Sequence, residues 1–142
     1  MRGSLPRRAS SLGGVTTNTT RQNFPSGGRF EDVYGYSRAV RVGNQVAVAG
    51  SCCRDTAIEG DAYEQSKDAL EVIAGALATA GAGLEHVVRT VTYVSDMGDL
   101  DLVARAHREA FDHVRPVATI VQVSAFADPR YKVEIQVDAI IA

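Results

Sequence analysis

The chain has 142 residues and is 45% hydrophobic, which suits one domain with a single sizeable core. Its net charge of −2 is unevenly spread: residues 1 to 29 hold Arg2, Arg7, Arg8, Arg21 and Arg29 with no acid, so the remainder carries −7. An acidic body has the wrong sign for lying along phosphates, and no run of 18 or more apolar residues is present, so neither nucleic acid nor a membrane is an expected partner.

The N-terminal stretch "MRGSLPRRASSLGGVTTNTTRQNFPSGG" is rich in Gly, Ser, Thr, Asn and Arg, with too little apolar side chain to repay the entropy of ordering. Residues 1–29 are therefore read as a flexible tail and 30–142 as the single domain. "MRGS" has the form of an expression leader, and "RRAS" resembles a basophilic kinase site, although such tetrapeptides arise easily by chance and a plain flexible tail is the favoured reading. The stretch lacks the apolar core of a secretory signal, so a cytoplasmic location is expected.

"YSRAVRV", "GN" and "QVAVAG" read as two strands around a turn at Gly43-Asn44. Ala62, Ser66, Ala69, Leu70, Ile73, Leu77 and Ala80 recur at helical spacing, with Asp61 near the start and Gly81 to Gly83 as a stop. "HVVRTVTYVS" alternates as a third strand, with Val88, Thr90, Thr92 and Val94 on one side and Val87, Arg89, Val91 and Tyr93 on the other. A second helix follows, its early acids suiting the positive helix end and Leu100, Val103, Ala106, Ala110 and Phe111 forming one stripe. "ATIVQVSAF", the turn "ADPR" and "YKVEIQVDAII" give a closing pair of strands.

The order β-β-α-β-α-β-β describes an α+β chain, an α/β two-layer sandwich with both helices on one face of a mixed sheet. Glu134, Gln136 and Asp138 then point away from the helices, beside Tyr36, Val91 and Tyr93, onto a face expected to be completed by self-association. Cys52 and Cys53, adjacent in sequence, are read as a reduced pair, since neighbours rarely meet disulfide geometry. With His86, His107 and His113 at no recognisable ligand spacing from them, no metal site is expected, and no cofactor is implied.

Three segments, "YSRAVRVGNQVAVAG", "VVRTVTYVSDMGDLDLVARAHREAF" and "RPVATIVQVSAFADPRYKVEIQVDAI", resemble the Rid (reactive intermediate deaminase) or YjgF family, also labelled endoribonuclease L-PSP. The resemblance implies a chorismate-mutase-like fold and a homotrimer with small-molecule clefts between subunits. It also implies hydrolysis of enamines and imines to a carbonyl compound and ammonia. Carried over by position, the pocket tyrosine falls on Tyr36, the glycine closing the second strand on Gly50, and the glutamate that holds the attacking water or polarises the substrate nitrogen on Glu134. Deaminase members carry an arginine entering the fourth strand that grips the substrate carboxylate; here Ala118 stands there, and Ile120 replaces a small or cysteine-like residue. The substrate is therefore expected to lack the usual carboxylate or to bind it differently.

Arg38 shares a strand face with Tyr36 and is a substitute anion anchor or, on the plainer reading, a solvated or interface arginine. Arg115 reads as a turn or interface residue, Asp138 as interface, and His107 as a structural histidine. One of Ser51, Cys52 and Cys53 is placed near the cleft, but only Arg54 is available to activate a thiol. A Rid-like deaminase leads the functional readings. A non-catalytic trimeric ligand-binding protein is the alternative, and ribonuclease ranks last because the acidic domain shows no paired general acid and base.

Overall fold

The structure is a computed structural model that describes residues 20–142. The "RRAS" motif and the leader-like "MRGS" lie outside the described residues. Among the described residues six strands form one sheet: β1 (Arg21–Phe24), β2 (Ala39–Val42), β3 (Gln45–Ser51), β4 (Val87–Val94), β5 (Val117–Gln122) and β6 (Val133–Ile140). Three α-helices among the described residues accompany them: the single turn α1 (Glu31–Tyr34) and the longer α2 (Ala62–Thr79) and α3 (Leu100–Phe111). Strand order is β1-β2-β3-β6-β4-β5, with β4 and β5 parallel and every other neighbour antiparallel. The α+β class, the mixed sheet and the hairpin at Gly43 are as the sequence indicates, and Gly43 takes a φ of 60° that suits glycine.

β1 falls inside the stretch read as a tail, where it pairs with β2 and leans Phe24 on the core. The closing pair of strands differs from the sequence reading: β5 and β6 are not neighbours. A parallel partner needs a crossover, so α3 carries the chain over the sheet and delivers β5 to the outer edge of β4. β6 then returns between β3 and β4, pairing with both.

α2 begins at a reciprocal cap, in which Asp61 accepts from the Glu64 backbone N–H at 2.9 Å and Glu64 accepts from the Asp61 N–H at 3.0 Å. It ends at Gly81, whose φ of 87° reverses the chain. Its buried face, Ala69, Leu70, Ile73 and Leu77, meets Val103 and Phe111 of α3 and the inward side of the sheet, Val46, Val48, Val133, Ile135 and Val137. The alternation of β6 is thus resolved: Val133, Ile135, Val137 and Ala139 are buried, while Glu134, Gln136 and Asp138 face away from the helices. In β4 one assignment is reversed. A register shift against β6 between Val87 and Arg89 turns Val87 inward, 3% exposed, and Val88 outward, 41% exposed.

Gln65 fixes how the chain enters β6. Fully buried on α2, its amide donates to the Ile58 and Arg130 carbonyls, each at 3.0 Å, and accepts from the Lys132 N–H at 2.9 Å. Gln65→Leu keeps the volume and strips all three partners. Groups left unpaired cost roughly 1–3 kcal/mol each, so a loss of about 3 kcal/mol is expected, seen as a lower urea midpoint at unchanged slope. An unchanged midpoint would mean that water replaces the amide at no cost.

Candidate active site

β6 carries Glu134 onto the face without helices, directly opposite Tyr93 of β4. On its other flank β3 does not keep simple alternation. Val48 pairs with Val137 and Ser51 with Ile135, so the strand holds an extra residue between these pairs. A count of two from buried Val46 and Val48 would send Gly50 inward; the bulge instead brings it beneath Glu134. A Cβ built on Gly50 would lie 2.6 Å from Glu134 Oε2 and 3.0 Å from its Cδ. Gly50 is not among the glycines with positive φ, so its missing side chain serves close approach rather than backbone freedom.

Arg38 stands beside this acid, half-buried. Its Nη1 donates to the Gly50 carbonyl at 3.2 Å and the Ser51 hydroxyl at 2.8 Å, with a longer contact of 3.4 Å to the Ala49 carbonyl. Its guanidinium carbon lies 5.9 Å from the centre of the Tyr36 ring. Arg38 is thus tied to β3 through Nη1 rather than free along its whole length. Tyr36 is half-buried and itself meets Tyr34 at a ring separation of 6.3 Å.

Burial raises the Glu134 carboxyl above its ordinary range, and the Arg38 charge opposes this without cancelling it. Burial first, then the Glu134 charge, pushes the Cys52 thiol up to about 12, so Cys52 is a neutral neighbour of the acid. Cys53 is buried and its thiol is also raised, by burial and then by Asp68. Neither is an activated nucleophile.

The sequence-derived positions divide into two groups. Tyr36, Arg38, Gly50 and Glu134 gather on one side of the chain. Ala118 and Ile120 pair with Thr90 and Thr92, whose side chains are buried toward the helices, so within a single chain they face away from Glu134. There they line a hollow of about 200 Å³ together with Leu100, Val103 and His107. His107 is structural, as read: Nε2 lies 2.8 Å from the Thr90 hydroxyl, and the ring packs on Phe111 at 4.8 Å. Arg115 is a turn residue at φ 56°, bonded to Asp112 at 2.8 Å. Asp138 and Arg89 border a separate shallow groove of about 450 Å³ on the open face with Val40, Val42 and Ile140. Tyr93 and the Ser51–Cys52 segment lie here as the sequence indicates, and the Gly50 bulge is the feature that strand periodicity could not single out.

A small two-layer α+β protein thus carries a shielded acid, a glycine and an arginine together on its uncovered sheet face. Residues 28–141 match the family described as endoribonuclease L-PSP, and the chain belongs to that family, also known as YjgF or Rid. A crystal structure of a Mycobacterium tuberculosis member of the YjgF/YER057c/UK114 family superposes with a TM-score of 0.81 at 43% identity, covering 86% of this chain and all (100%) of that one. An uncharacterized protein of Streptomyces coelicolor is 40% identical over 87% of this chain and 94% of its own length. The mouse 2-iminobutanoate/2-iminopropanoate deaminase is 30% identical over 74% of this chain and 80% of its own length.

Proposed function

We propose that the chain is a hydrolase of small imines, acting as a homotrimer in which Glu134 handles the attacking water. The observation that carries this reading is the half-buried Glu134 carboxylate lying over Gly50 beside Arg38. Burial raises the pKa of this carboxylate, which favours its taking and returning a proton, as water addition to C=N requires.

In the first step Glu134 removes a proton from water as the water oxygen bonds to the imine carbon, and the C=N π pair moves to nitrogen. Glu134 then returns the proton to that nitrogen. In the second step Glu134 takes the carbinolamine hydroxyl proton and passes it to the nitrogen, the C–N bond breaks with its electron pair going to nitrogen, and the carbonyl compound and ammonia leave. Tyr36 provides a flat wall for a small planar substrate. The neutral Cys52 thiol keeps a second negative charge away from the acid.

Self-association enters because neither principal hollow includes Glu134, while Val88, Val117, Val121 and Ile140 are all at least 38% exposed. Strand parity places Val117 and Val121 with Arg89 and Tyr93 on the open face. A neighbouring copy laid on this apolar surface would close the site and could present its own Ala118 and Ile120 there.

The test is ammonia and keto acid release from 2-iminobutanoate generated in situ. The chain is expected to accelerate it well above the buffer rate and to sediment as a trimer. A rate equal to buffer would leave the non-catalytic binder, which Ala118 in place of the arginine favours.

A further inference from the structure

The guanidinium of Arg38 is only half used. Nη1 makes all of its contacts, to Ala49, Gly50 and Ser51, whereas Nε and Nη2 bond to no group among the described residues. Nε and Nη2 form the edge of the fork that matches the two oxygens of a carboxylate. Arg54 shows this use within the same chain, reaching Asp68 Oδ2 through Nε at 3.2 Å and Oδ1 through Nη2 at 2.6 Å. Glu134 does not occupy the corresponding edge of Arg38: its charge is felt there, but no ion pair joins them.

The side chain is also held in place before any ligand arrives. Its far nitrogen is tied to the bulge of β3 and its face lies toward Tyr36, so little rotamer freedom remains to be lost on binding. A cation fixed by backbone carbonyls, with its bidentate edge unpaired, is an anion site already assembled.

We propose that Arg38 is the anion anchor of this site, its free Nε–Nη2 edge gripping the carboxylate of a small imino or keto acid. The ligand class rests on the imine-hydrolase reading, but the anchor is defined by geometry alone. The carboxylate would then be held by the same chain that supplies Glu134, rather than through position 118, where Ala118 has no charge to offer. A bound carboxylate next to Glu134 favours the protonated acid, placing the proton where the departing nitrogen needs it.

The probe is 2-oxobutanoate, compared with its uncharged methyl ester, in calorimetric titrations of the full chain. Wild type is expected to bind the acid at least about 10-fold more tightly than the ester, since charge-assisted bonds exceed neutral ones by this much. The Arg38 Nε resonance should shift on adding the acid and stay in place with the ester. Arg38→Gln should lose the acid by at least about 10-fold while keeping its affinity for the ester; a merely structural role would weaken both together. Equal wild-type affinities, a stationary Nε resonance, or a variant that binds the acid like wild type would each overturn the anchor. The two wild-type measurements decide the matter even if Arg38→Gln does not fold. Acid binding through Arg38 without turnover would sink only the hydrolase, and turnover with acid binding indifferent to Arg38 would sink only the anchor.

Discussion

Glu134→Gln is expected to slow imine hydrolysis at neutral pH by about 100-fold or more, the span over which a positioned proton-transfer group contributes. The amide keeps the size and lies over Gly50 in the same way, so the loss measures proton handling rather than shape. The same variant should be more stable than wild type near neutral pH, and the sign follows from the proton balance. The folded chain holds the Glu134 proton to a higher pH than the unfolded chain does. Between the ordinary carboxylate pKa and the raised folded value, the native state therefore binds more protons, and stability falls as pH rises. Above that window the buried charge is a standing cost, which glutamine removes. Melting curves of the two proteins should coincide at acid pH and separate through this window, with the variant higher. Full turnover in Glu134→Gln would remove the acid from the mechanism.

Gly50→Ala is the second large effect, and it should appear in activity without a matching loss of stability. The new methyl would meet Glu134 Oε2 at 2.6 Å, a distance that real Cβ contacts do not adopt. What must yield is the far end of a flexible side chain, not backbone, so Glu134 swings aside at small cost. A displacement of about 1 Å in a reacting group is worth about 100-fold in rate. The expected outcome is a kcat lowered by roughly that factor, with a melting temperature close to wild type. A variant that melts much earlier would show instead that Gly50 is required by the bulge itself. Unchanged kcat would show that the acid does not need its place above the strand.

Much of this arrangement is legible in the sequence. Strict alternation over "KVEIQVDAII" assigns the Glu134 face correctly because one side of β6 is buried along its whole length, and a slip of one residue would bury three polar groups. The hairpin and the two long helices follow from Gly43-Asn44 and from the spacing of Leu70, Ile73 and Leu77. The place of β6 between β3 and β4 is not legible, since pairing between distant strands leaves no local mark. Nor are the two register shifts, each of which reverses a face: one turns Val88 outward, and the other brings Gly50 under Glu134. Period-two counting fails at such bulges because the ladder there gains a residue.

Arg38 illustrates the same limit from the side of chemistry. Parity places it on the face of Tyr36, but only the backbone carbonyls at Ala49 and Gly50 decide which of its nitrogens is spent. Ala118 and Ile120 keep the order of the family motif, yet in one chain they lie on the helix side beside Thr90 and Thr92.

Carboxyl-carbon NMR of the full chain, followed across pH, reads the state of Glu134 without reference to any substrate. Its midpoint should lie above the ordinary value of 4.5 and move higher still in Arg38→Gln, where the opposing positive charge is gone. A midpoint at or below 4.5 would contradict the account, because an acid hydrated like a free glutamate holds no proton to exchange at neutral pH.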